Sequence, residues 1–135
     1  MLSFALSLCA AQALVPQEAY EQVRLRAADQ HEVVMLLIKK GQFGQVLAET
    51  RKLLAIKVPS QFEAKQVDSA AVIADALHHK GQLDLAQQVL DEAANIVTLG
   101  KSKAECYRRK AFFFKKQGKE DLAIRYYKMA MDADK

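Results

Sequence analysis

Between Arg108 and Lys128, eight cations surround three aromatic rings: Arg108, Arg109, Lys110, Lys115, Lys116, Lys119, Arg125 and Lys128 around Phe112, Tyr126 and Tyr127. Cations facing phosphates and rings stacking on bases would suit single-stranded nucleic acid. The same surface would equally take an acidic protein or peptide. Elsewhere the reactive side chains assemble no reaction. His78 and His79 are adjacent and diverge by roughly 100° on a helix, so they are poor joint ligands. His31 beside Glu32 is an ordinary surface pair. Cys9 and Cys106 form no CxxC and no Cys/His cluster. Gly-rich phosphate loops, HExxH and GxSxG are absent from the sequence. The reading is no enzyme, no metal and no cofactor.

Those cations lie at one end of the chain. Residues 1–100 carry 9 Lys/Arg against 11 Asp/Glu, a net of −2, whereas residues 101–135 carry 11 against 5, a net of +6. Many of the basic residues precede a glycine, where a helix ends and its dipole favours cations. With 135 residues, half of them apolar, the chain suits one domain with one core.

The elements that must position these residues follow from three glycines. LLIKKGQFGQVLAET, ALHHKGQLDLAQQVL and FFFKKQGKEDLAIRYY each run from an apolar helical stretch through a glycine into a second one. Gly41, Gly81 and Gly118 are spaced by 40 and 37 residues. Glycine commonly ends a helix because it adopts the left-handed conformation without a Cβ clash. Apolar residues recur at helical spacing on both sides, as Val67, Ala70, Ala71, Ala74 and Leu77 before Gly81, and Leu83, Ala86, Val89, Leu90 and Ala93 after it. No strand alternation is sustained. The pattern predicts an all-α chain with helices near 17–40, 42–57, 60–80, 82–98, 101–117 and 119–133, paired as hairpins over about 17–57, 60–98 and 101–134.

The third hairpin, with Tyr107, Lys110-Ala111, Phe114, Ala123 and Tyr127, resembles the tetratricopeptide repeat (TPR), departing at Lys110 where leucine is usual. The second, with Ala70, Ile73-Ala74, Leu77, Ala86 and Leu90, keeps the small residues and lacks the aromatics. The first, with Gln30, Val33-Val34, Leu37, Val46 and Thr50, matches poorly. The resemblance implies a right-handed stack of about three antiparallel helix hairpins, a TPR-like α-solenoid. It also implies a protein–protein interaction scaffold with a concave groove. On this reading Phe114 takes a core aromatic position, Phe113 packs toward a neighbouring hairpin and Phe112 points to the concave side. The family's clamp for chaperone tails uses Lys, Asn and Arg. This chain has His31, Met35, Val72 and Glu105 at those positions, and only Arg109 matches.

The expected groove residues are His31, Met35, Asp75, His78, Arg108, Arg109, Phe112 and Lys115. The expected partner is another protein or peptide, favoured if acidic. Two alternatives stand beside it: a basic helical-repeat protein associated with nucleic acid, and a structural homo-oligomer. No polar capping helix follows Asp134-Lys135, so Tyr126, Met129 and Met131 are expected to meet another surface. The uncharged segment Leu2–Val15, within residues 1–16, has the length of a signal-peptide apolar region and an Ala11-Gln12-Ala13 pattern, but no basic residue precedes it. A signal peptide would make the protein exported or periplasmic. A packing helix would leave it cytoplasmic.

Overall fold

A computed structural model of the chain describes residues 2–135, with side chains described from Ala19 onward. Among the described residues the fold is all-helical: α1 (Leu2–Lys39), α2 (Val46–Leu54), α3 (Glu63–His79), α4 (Leu83–Ile96), α5 (Gly100–Lys116) and α6 (Glu120–Ala133). Short 3-10 turns, Phe43–Gln45 and Ser60–Phe62, lead into α2 and α3. Helix α1 runs through the boundary near residue 17 without a break. The choice between signal peptide and packing helix rests on side chains outside the described ones. Among the described residues no helix is long and apolar enough to cross a membrane.

The three glycines end α1, α3 and α5 in one conformation, with φ of 74° at Gly41, 75° at Gly81 and 76° at Gly118. Each turn closes alike. The N–H after the glycine reaches back to a helix carbonyl: Gln42 to Leu37, Gln82 to Leu77 and Lys119 to Phe114, each at 2.9 Å. Gln42, Gln82 and Lys119 then take the same backbone shape, with ψ of 62°, 66° and 70°. Helix carbonyls that would be left unpaired are satisfied this way, and only glycine reaches that φ without strain.

Small residues let the helices close up. Ala74, Ala86, Ala111 and Ala123 are all buried, and Val34 and Val46 hold the same places around Gly41. One apolar core runs from Val34 and Ile38 in α1 through Ile73, Leu77, Val89 and Leu90 to Phe113 in α5. Burying a side chain such as Leu77 or Leu90 contributes roughly 1.5–3 kcal/mol. Gly100 opens α5 where a Cβ would collide with the Ala133 carbonyl, so the start of α5 lies against the end of α6.

Polar contacts tie distant segments together. Glu63, buried in the first turn of α3, accepts hydrogen bonds from the Thr98 N–H at 2.7 Å, the Thr98 hydroxyl at 2.6 Å and the Leu99 N–H at 3.0 Å. It thereby caps the joint between α4 and α5, where helix N–H groups lack internal partners. Burial pushes its carboxyl up, but the bonds from Thr98, Leu99 and Ser102 outweigh that and hold it below 4.5. Gln30 in α1 donates to both the backbone carbonyl and the carboxylate of Glu49 in α2, at 2.9 and 2.7 Å. Arg51 in α2 pairs with Glu92 in α4 at 2.8 Å.

Phe113 packs toward a neighbouring hairpin as expected, but it lies deeper than Phe114. Phe113 is the buried ring, at 3% exposure, and Phe114 is half-buried. Phe113 faces α3, where His78 covers it, whereas Phe114 faces α6 and shares that space with Tyr126 at 5.5 Å. Lys110 also lies there. Its side chain is buried, its ammonium pairs with Asp91 of α4, and it sits 4.5 Å from the Tyr126 ring centre. A lysine thus fills a leucine place by laying its stem in the core and giving its charge a carboxylate and a ring face.

Candidate interaction face on α3 and α5

The last turns of α3 and α5 stand side by side because His78 stacks on Phe113, with ring centres 4.8 Å apart and planes 18° from parallel. One residue before Phe113, the helix turns its next ring outward: Phe112 is 44% exposed. The Lys116 ammonium lies 4.8 Å from the centre of the Phe112 ring, a cation–π contact one turn along α5. On α3, the His79 Nδ1 lies 2.9 Å from the Asp75 carbonyl and 3.6 Å from its carboxylate. Val72, one turn before Asp75, is also exposed.

Charge across this face is uneven. Burial holds the His78 imidazole below its ordinary 6.5, Lys116 adds to the shift and Asp75 opposes it. His78 is therefore neutral at pH 7, and its Nε2 is buried without a hydrogen-bond partner. Arg108 and Arg109 both grip Glu105, at 2.6 and 3.0 Å, and remain about half exposed. Lys115 is exposed beside Lys116.

Of the expected groove residues, Asp75, His78 and Phe112 gather at this point. Arg108 and Arg109 lie about one turn before Phe112 on α5 and Lys115 just after it. His31 lies in a separate pocket, where its Nδ1 is 2.5 Å from the Ser69 hydroxyl. Met35 is half-buried against the core. Lys116, His79 and Val72 belong to the face and were not among the expected residues. For Lys116 the signal was its i,i+4 spacing from Phe112.

Cys106 is buried, and burial, then Glu105, pushes its thiol up to about 11, so it stays protonated. Among the described residues no three His, Cys, Asp or Glu side chains come together as metal ligands would. The face offers an exposed ring, an apolar neighbour, donors and cations, which suits non-covalent docking. No family model, curated protein or solved structure matches the chain.

Proposed function

We propose that this chain is a non-catalytic scaffold similar to tetratricopeptide repeats, a right-handed stack of three helix hairpins that docks a peptide or partner helix on the α3/α5 face. Three observations support the architecture. The turns at Gly41, Gly81 and Gly118 share one geometry. The positions compared with the family pattern are buried or half-buried in all three units, save Val33. Contacts pair α1 with α2, α3 with α4 and α5 with α6, and join one pair to the next as α1 with α3, α2 with α4, α3 with α5 and α4 with α5, which is how stacked repeats bury a shared core.

The observation that carries the function is Phe112. A large ring held outward, capped by Lys116 and flanked by Arg108, Arg109 and Lys115, is the kind of anchor that dominates interfaces. The basic flank selects acidic partners. The test is a peptide selection from a random display library on the wild-type chain, followed by fluorescence anisotropy. Selected peptides should carry Asp or Glu beside an apolar residue. Phe112→Ala and Arg108→Glu should each weaken binding at least about tenfold, a loss of the size found at interface anchors. Equal affinity for wild type and both variants would overturn the reading.

The net +6 of residues 101–135 favours the nucleic-acid alternative, which predicts single-strand binding that falls steeply with salt. Two of its cations are bound to Glu105 and a third, Lys110, is buried on Asp91. Those commitments favour the protein reading.

A further inference from the structure

A pocket lies away from the α3/α5 face, between α1, the end of α2 and the start of α3. It has a volume of about 200 Å³. Its walls are apolar, formed chiefly by Leu53, Leu54, Ile56 and Phe62, and Tyr20 stacks on Phe62 with ring centres 4.1 Å apart. Its polar residues carry a positive charge or none. Arg24 and Lys65 are cations, His31, Gln66 and Ser69 are neutral, and among the described side chains no Asp or Glu lines it. Glu21, just outside, holds Arg24 at 3.1 Å.

The His31–Ser69 pair raises a hydrolytic reading, since a serine bonded to a histidine is half of a nucleophilic triad. Ser69 sits in the middle of α3, where neighbouring backbone N–H groups are already spent on the helix. No backbone N–H is left free beside Ser69 to form an oxyanion hole, so the pair is suited to binding and not to acyl transfer. An apolar cavity of roughly 150 Å³ holds a benzene ring. This pocket therefore has room for one ring or one branched chain.

We propose that the pocket binds a small monocarboxylic acid carrying one aromatic or branched apolar group. The apolar group lies against Leu53, Leu54, Ile56 and Phe62, and the carboxylate is turned toward Lys65 and Arg24. Apolar walls with a few convergent polar groups are what small-ligand sites look like. The all-cationic or neutral lining selects an anion over an amine.

The test is a two-dimensional amide NMR titration of the full chain with 3-phenylpropionate, its neutral amide and the matching amine, each to about 10 mM, enough to read millimolar affinities. The acid should move the signals of Tyr20, His31 and Ser69 together. It should bind at least about fivefold tighter than the amide, and Lys65→Glu should remove that advantage, the size expected of one exposed charge. Lys65 is exposed, so the variant should fold. The inference is overturned by no shifts at the pocket, by amide or amine binding as tightly as the acid, or by an unchanged affinity in Lys65→Glu. Shifts confined to Asp75, His78 and Phe112 would also overturn it while leaving the α3/α5 proposal standing.

Discussion

Between Ala70 and Leu90, the α3–α4 pair is filled with aliphatic side chains: Ile73, Ala74, Leu77, Ala86 and Leu90 are all fully buried. Between Tyr107 and Tyr127, the α5–α6 pair is filled with half-buried rings around a buried lysine. Both pairs turn on a glycine at nearly the same φ with the same closing hydrogen bond. The backbone unit is thus set by the turn and by the alanines, while the filling is free to vary with what lies alongside. Helices α3 and α4 are flanked by α1, α2 and α5, and so must be apolar all round the contact. Helix α6 packs chiefly on α5 and leaves Ile124 and Met131 exposed, at 53% and 62%.

This contrast can be broken or sharpened by substitution. Leu90→Ala removes a fully buried side chain from the aliphatic pair and should cost about 3 kcal/mol in urea unfolding. A loss below about 1 kcal/mol would mean that the core there collapses freely around the gap.

Next in size is Glu63→Gln, which keeps the shape and removes the charge that Thr98 and Leu99 bond. The expected loss is about 2 kcal/mol at pH 7, since hydrogen bonds to charged groups are worth more than neutral ones. The folded carboxyl titrates below 4.5, so this stabilisation is fully present above 4.5 and lost as pH falls through the lower folded value. The melting difference between wild type and Glu63→Gln should therefore shrink on acidification below pH 4.5, and a difference that persists unchanged would refute the role given to the charge.

Asp91→Ala leaves the Lys110 ammonium buried without its carboxylate. It should destabilise by about 1–2 kcal/mol, less than a fully buried pair would because Asp91 is half exposed. Lys110→Met, an apolar side chain of similar length, should be neutral or stabilising. If Lys110→Met instead costs more than Asp91→Ala, the charge itself holds α6 in place.

The shared turn makes a sharper prediction. Gly81→Ala and Gly118→Ala each force an L side chain to positive φ with open space around it, and should cost the same, about 1 kcal/mol. Unequal losses would separate the two turns that look alike. The smallest effect belongs to Phe112→Ala, within about 0.5 kcal/mol as for surface positions in general, even though it should weaken docking on the α3/α5 face at least about tenfold.

Much of the fold is legible in the sequence. The all-helical class, the glycine turns and the buried alanines follow from local rules: helical spacing, the missing Cβ and the volume of a methyl group. For Phe112 the resemblance to the repeat family implied a place on the concave side, and its ring stands exposed on α5. The rest depends on partners far along the chain. Nothing near Glu63 announces that Thr98 and Leu99 will bond it, nor does anything near His31 point to Ser69. Which of Phe113 and Phe114 is the deeper ring was decided by His78 on one side and by Lys110 and Tyr126 on the other. The sequence by itself determined that the chain is helical and turns at Gly41, Gly81 and Gly118, because those choices are made by neighbours within a few residues. Tertiary packing alone decided that a lysine could be buried, that a glutamate could cap another helix, and that an apolar pocket would open beside Tyr20 and Phe62. Burial and hydrogen-bond pairing depend on groups that meet only when the chain has folded.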